Sequence, residues 1–136
     1  MTGRLVLVAT PIGNLGDLSP RAVAAFADAD EIWCEDTRRT RILLTHAGIE
    51  GARLRAVHEH NEVAMTSELV AAIASGLTIA YASDAGMPGV SDPGARLVAA
   101  CVAQDLEVTV VPGPTAALSA LVVSGLPTDR DRKSVV

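Results

Sequence analysis

Short apolar runs recur along the chain, and each gives way to a loop and then to positions of helical period. The first is Arg4 to Ala9, rich in leucine and valine and too short for a helix. After the loop Thr10 to Asp17, Ser19 is placed to cap a helix whose first position is Pro20, where no backbone N–H is needed. That helix is predicted to reach about Asp28. A second strand over Glu31 to Cys34 ends in Glu35-Asp36. Thr37 is the expected cap of a helix that reaches Ala47 and is stopped by Gly48. Leu54 to Val57 is a third short strand, and the polar run His58 to Glu62 reads as a loop. Met65, Leu69 and Ile73 fall at i, i+4 and i+8, one helical face, and Gly76 closes that helix. A fourth strand, Thr78 to Ala82, leads into the long loop Ser83 to Asp92. Pro93 opens a helix to about Gln104, and a fifth strand covers Glu107 to Val111. Pro112-Gly113-Pro114 breaks it, and Thr115 caps a last helix reaching Ser124.

Near-continuous apolar strands alternating with helices predict an α/β fold. The expected form is a five-stranded, mainly parallel sheet with helices on both faces. In such sheets ligands bind beyond the carboxyl ends of the strands. The loops after the first, fourth and fifth strands all fall on that edge.

Composition narrows the class. The chain has 136 residues, 49% of them hydrophobic, which suits one domain with a core and excludes a disordered tail. No apolar run reaches the roughly 18 residues of a membrane span. The amino terminus lacks the pattern of a secretory signal, and two cysteines are too few for a disulfide framework, so a reducing cytoplasm is expected. The net charge of −5 is the wrong sign for a broad nucleic-acid-binding face, and 2% aromatics leave no stacking platform. An RNA partner would need a local basic patch or a further part of the molecule.

The loops carry the candidate chemistry. Thr10 to Asp17 has glycines at 13 and 16, neither the three-glycine dinucleotide fingerprint nor a lysine-bearing P-loop. It reads either as a tight turn or as backbone that lets an adenosyl-type ligand approach closely. Ser83 to Gly94 packs three glycines and two prolines into twelve residues. Asp84 directly follows a buried strand, and its carboxylate can accept from ligand hydroxyls or from turn amides. Asp92, before Pro93, reads first as a helix cap. With no lysine or arginine in this loop, a neutral or zwitterionic ligand fits better than a phosphate-rich one. Thr115-Ala116 opens a helix whose free N–H groups and hydroxyl can hold a carboxylate or a ribose, or merely cap it.

Six segments occur in order: Thr10-Pro11-Ile12-Gly13-Asn14-Leu15-Gly16-Asp17, Glu35-Asp36-Thr37-Arg38, His60-Asn61-Glu62, Ser83 to Gly94, Pro112-Gly113-Pro114, and Gly125-Leu126-Pro127-Thr128-Asp129-Arg130. Together they resemble the branch of the tetrapyrrole-methylase-like class of S-adenosylmethionine enzymes that methylates a cytidine 2′-hydroxyl in 16S ribosomal RNA. The resemblance covers residues 4 to 130 and only the amino-terminal of the two domains of that class. It implies a donor folded in a cleft between the domains. Pro11 and Gly13 would line its floor, Asp84, Ala85, Gly86 and Met87 would wrap it, and Thr115 and Ala116 would touch it from the next loop. It also implies the small ribosomal subunit as partner, a homodimer in the full-length protein and a cytoplasmic location.

Methyl transfer to a 2′-hydroxyl requires that oxygen to be positioned and deprotonated. Glu35, Asp36, His58 and His60 are the candidate bases, with Glu35, Asp36 and His60 preferred. Helix capping competes for the two carboxylates, and a solvated loop for the histidines. No metal site is expected, because Cys34 lies in a predicted buried strand. Arg38, Arg39 and Arg41 oppose the dipole at a helix start, so they are candidate phosphate contacts as much as a solvated face.

Residues 1–130 are thus expected to be the amino-terminal methyltransferase domain. Asp131 to Val136 depart from the pattern and match one reading frame of a common sequencing-adapter oligonucleotide, so they are expected to be non-native. A fragment of this kind is expected to have little or no activity and to expose an apolar interdomain surface. Three other readings compete: a tetrapyrrole carbon methylase, a non-catalytic nucleotide- or RNA-binding module, and a nicotinamide-dependent domain, the last disfavoured by the missing fingerprint.

Overall fold

In a computed structural model the described residues, 3–89 and 92–129, form one five-stranded sheet with helices on both faces. The strands are β1 (Arg4–Val8), β2 (Glu31–Cys34), β3 (Leu54–Ala56), β4 (Thr78–Ala82) and β5 (Glu107–Val111). The helices are α1 (Pro20–Asp28), α2 (Thr37–His46), α3 (Glu62–Ala74), α4 (Gly94–Ala103) and α5 (Ala116–Ser124), with one 3₁₀ turn at Leu15–Asp17. The sheet order is β3-β2-β4-β1-β5 and every pairing is parallel. The expected elements are all present, and the sheet is wholly rather than mainly parallel. The expectations for Arg130 and for Asp131 to Val136 lie outside the described residues.

Strand alternation divides the core into two layers. Leu5, Ile79, Tyr81 and Trp33 face one side, where Met65, Leu69 and Ile73 of α3 and Leu97 and Cys101 of α4 cover them. Val6, Val8, Ala80, Ala82 and Ile32 face the other side, against Ala22 and Phe26 of α1 and Leu43 and Leu44 of α2. Both faces are buried, which is why the strands read as unbroken apolar runs. Each fully buried large side chain contributes about 1.5–3 kcal/mol.

Local chemistry sets the element ends. Ser19 Oγ accepts from the Ala22 N–H at 3.0 Å, and Pro20 follows it. The cap of α2 is Asp36, not Thr37: the Asp36 backbone is extended and its Oδ1 accepts from the Arg38 N–H at 2.9 Å. Either side chain could have served. The carboxylate, one residue earlier, reaches the free N–H first and so moves the boundary. Likewise β3 stops at Ala56, but the Val57 N–H still donates to the Cys34 carbonyl at 2.8 Å.

The connections position the crevice. After β1 the chain crosses to β2. After β4, which lies beside β1, it crosses the opposite way to β5. Adjacent parallel strands that send their loops apart open a crevice at their carboxyl ends.

Candidate functional site

Three loops meet at the carboxyl end of β1. An antiparallel bridge joins two of them: the Thr10 N–H donates to the Gly86 carbonyl and the Gly86 N–H to the Thr10 carbonyl, both at 3.0 Å. Gly86 sits at φ +76°, and a Cβ there would come within 3.2 Å of the Pro114 carbonyl oxygen in the third loop and 3.3 Å of Ile12 Cδ1. Only glycine combines that backbone with that proximity. The loops at 10–17, 83–89 and 112–116 therefore converge on one rim, as the rhythm of the chain predicts.

The bridge separates two hollows. One, of about 300 Å³, is lined by Thr10, Pro11, Gly13, Asn14, Leu15, Arg39, Thr40, Ile42, Leu43, Ser83 and Asp84. The other, of about 410 Å³, is lined by Ala85, Gly86, Met87, Thr115, Ala116, Ala117 and Leu118. The expected donor-binding residues thus divide. Pro11, Gly13 and Asp84 face the first hollow, and Ala85, Gly86, Met87, Thr115 and Ala116 face the second. Thr115 is also the cap of α5, its Oγ1 accepting from the Leu118 N–H at 3.2 Å.

The carboxylates form a cluster at the ends of β2 and β4. The Asp84 N–H donates to Glu35 Oε1 at 3.1 Å, and Asp84 Oδ1 accepts from the Asp36 N–H at 3.2 Å. These reciprocal bonds pin one loop to the other. Their members diverge in acidity. Burial raises the Glu35 carboxyl above its ordinary range, and the Asp84 and Asp92 charges add to this against the opposing Asp84 N–H bond. The Arg38 backbone N–H is the main cause holding Asp36 below its range. Glu35 is therefore the more basic of the pair.

Asp92 caps the start of α4, as expected: its Oδ1 accepts from the Gly94 N–H at 2.7 Å. It also ties down the loop, accepting from the Gly89 N–H at 2.9 Å and from the Tyr81 hydroxyl at 3.4 Å. Burial and the Asp92 charge raise the Tyr81 phenol, which stays protonated. Cys34 is buried and its thiol is likewise raised, chiefly by desolvation. Among the described residues no group of three or more His, Cys, Asp or Glu side chains could hold a metal ion.

His60 does not join the carboxylates. It sits exposed in the turn between β3, the edge strand, and α3, with its Nε2 3.8 Å from Glu59 and its ring 5.8 Å from that of His58. Arg38, Arg39 and Arg41 are all exposed on α2. Arg39 faces the first hollow, while Arg38 and Arg41 line a groove on the outer side of the helix with Thr37, Ile42 and Thr45. The residue that sequence reasoning left out of the site is Thr10. It is 2% exposed and its Oγ1 has no hydrogen-bond partner among the described residues; both properties arise only when the loops close around it, and no local pattern signals them.

The chain belongs to the tetrapyrrole (corrin/porphyrin) methylase family, whose profile matches residues 4–136. Within that family it is similar to the ribosomal RNA small subunit methyltransferases I of Synechocystis sp. and of Escherichia coli O157:H7. The first is 52% identical over 128 residues, covering 94% of this chain and 46% of the relative. The second is 48% identical, covering 94% of this chain and 44% of the relative. The chain spans about half the length of the curated relatives it matches. Among solved structures it is similar to the uroporphyrin-III-C-methyltransferase of Thermus thermophilus, with TM-score 0.69, 27% identity, and 93% of this chain and 55% of that one covered. A diphthine synthase shares the fold alone, with TM-score 0.68 and 14% identity over 91% of this chain and 49% of that one.

Proposed function

We propose that this chain is the amino-terminal half of an S-adenosylmethionine-dependent methyltransferase that acts on a cytidine ribose 2′-hydroxyl in small-subunit ribosomal RNA. The observation that carries the reading is the convergence of the 10–17, 83–89 and 112–116 loops on one sheet edge, bridged at Thr10 and Gly86. The relatives' names support ribosomal RNA as the substrate, and the six ordered motifs support the ribose-methylating branch. A tetrapyrrole carbon methylase has the weaker case. The T. thermophilus enzyme shares the fold at 27% identity, whereas the ribosomal RNA methyltransferases stand near 50%.

The larger hollow suits the donor. Its volume falls within the range of small-molecule sites, and its lining of alanines, Gly86, Met87 and Leu118 is predominantly apolar, with the Thr115 hydroxyl at its edge. When bound, the donor supplies an electrophilic methyl on a sulfonium: the ribose oxygen takes that carbon, the carbon–sulfur pair stays on sulfur as a neutral thioether, and the hydroxyl proton passes to a base. Glu35 is the base we favour over Asp36 and His60, because burial raises its affinity for a proton and it stands in the carboxylate cluster on the rim. Arg38, Arg39 and Arg41 supply cations for RNA phosphates on a chain that is otherwise acidic. The same reading places the protein in the cytoplasm, as a homodimer when a second domain completes the cleft.

Calorimetry with S-adenosylhomocysteine, ATP and NAD tests the proposal. We expect S-adenosylhomocysteine to be preferred, and equal or stronger binding of either other ligand overturns the reading. A methyl-transfer assay on small ribosomal subunits tests the dependence on a second domain. We expect little turnover from this chain alone, and a rate near that of a two-domain relative would refute that dependence.

A further inference from the structure

We infer that Asp92 is a positioning residue for the methyl donor: its carboxylate clamps the segment from Gly86 to Gly89, so that Met87 is held in place as a wall of the larger hollow. This rests on the function proposed above, which gives that hollow to the donor.

The segment is fixed at both ends. At one, Gly86 spends its N–H and its carbonyl on Thr10, 3.0 Å each way. At the other, the Gly89 N–H donates to the Asp92 carboxylate, 3.0 Å from Oδ1 and 2.9 Å from Oδ2. Both glycines have positive φ, +76° and +91°, so the chain turns sharply at each. Only Met87 and Pro88 lie between them. Pro88 is buried, and a proline restricts the backbone of the residue before it. Met87, half-buried, is left little freedom, and it is the largest side chain that this loop gives to the hollow.

Helix capping alone does not account for the arrangement. Capping α4 takes one oxygen, and Asp92 Oδ1 supplies it to the Gly94 N–H at 2.7 Å. The other oxygen, Oδ2, is turned to Gly89, outside the helix. Asn or Ser caps a helix about as well as Asp, but neither places an acceptor at both positions. The surroundings also fix the carboxylate. A Cβ on Gly94 would lie 2.7 Å from Asp92 Oδ1 and from Tyr81 Cε1, and 3.1 Å from the Gly89 nitrogen. Tyr81 is fully buried in β4, and its hydroxyl lies 3.4 Å from the same Oδ1. Asp92 thus ties a loop to the rigid sheet. A wall set before the ligand arrives leaves less to be ordered on binding.

The variants Asp92→Asn and Asp92→Ser, in the full chain, keep a cap for α4 and lose the second acceptor. Ser19→Ala removes the cap of α1, outside the lining of the hollow, and controls for stability alone. S-adenosylhomocysteine binding is read by calorimetry, stability by thermal melting, and order of the segment by thermolysin cleavage before Met87. We expect D92N and D92S to weaken S-adenosylhomocysteine roughly tenfold and to speed that cleavage. S19A should lower the Tm by about 3–5 °C and change neither. Unchanged S-adenosylhomocysteine affinity in both Asp92 variants makes the residue a cap only and overturns the inference, while leaving the proposed function standing. Unchanged cleavage before Met87 overturns it too, and so does a loss of affinity in S19A equal to theirs, which would tie binding to overall stability. An unsubstituted chain that does not prefer S-adenosylhomocysteine overturns the function and this inference together.

Discussion

Helices α3 and α5 are both apolar, yet they have opposite fates. The α3 sequence, EVAMTSELVAAIA, buries Met65, Leu69 and Ile73 on the sheet. The α5 sequence, AALSALVVS, is the more apolar and buries nothing. Val122 is 74% exposed and Val123 85%. The difference is position. The segment α3 lies over the Leu5, Ile79 and Tyr81 layer, whereas α5 follows β5, an edge strand of the sheet, and none of its residues enters either core layer. Hydrophobic stabilisation comes from area removed from water, so apolar sequence contributes only where a neighbour exists to cover it.

Substitutions sharpen that contrast, beginning in the covered region. Leu69→Ala opens a cavity in a fully buried layer and should cost about 2–5 kcal/mol, read from denaturant midpoints. A loss under about 1 kcal/mol would mean that α3 packs no better than α5.

Gly94→Ala probes the junction between core and crevice. A Cβ there would lie 2.7 Å from both Tyr81 Cε1 and Asp92 Oδ1, so the start of α4 must shift. We expect a destabilisation of about 1–3 kcal/mol, together with loss of the loop order that Asp92 imposes. Faster proteolysis within 83–92 would report the latter.

A smaller effect is expected at the carboxylate cluster, and its sign depends on pH. The folded-state pKa of Glu35 is raised, so protonation favours the folded form. That contribution is complete below the unfolded carboxyl value and is lost as pH rises through the folded one. Glu35→Gln keeps an oxygen to accept from the Asp84 N–H but carries no charge to desolvate. It should be the more stable protein at neutral pH, with the advantage vanishing in acid below the ordinary carboxylate range. A stability difference independent of pH would contradict this.

The smallest change is predicted on α5. Val123→Ser should shift stability by no more than about 0.5 kcal/mol and should reduce light scattering on concentration. A loss of several kcal/mol there would show that α5 is covered in solution.

Local and periodic signals were legible in the chain because they depend on neighbours a few residues away. The i, i+4, i+8 spacing of Met65, Leu69 and Ile73, the Ser19-Pro20 start of α1, and the glycine- and proline-rich turns after three strands all act over one or two helical turns. They were enough to specify a two-faced α/β sheet with its special loops on one edge. The competing caps of α2 were not separable from the sequence, because both Asp36 and Thr37 satisfy the same rule, although the bond that decided between them is local.

What only the tertiary structure decided is which loops meet and what their meeting leaves unsatisfied. The order β3-β2-β4-β1-β5 brings the loops after β1 and β4 into register, so that Thr10 and Gly86 bridge and divide one expected pocket into two. It buries Glu35 where the Asp84 N–H meets it across 49 residues of sequence, and that burial raises the Glu35 carboxyl against the opposing hydrogen bond. Burial, desolvation and an unpaired hydroxyl are properties of surroundings. Those surroundings come from segments far apart in the chain, and no window of sequence contains them.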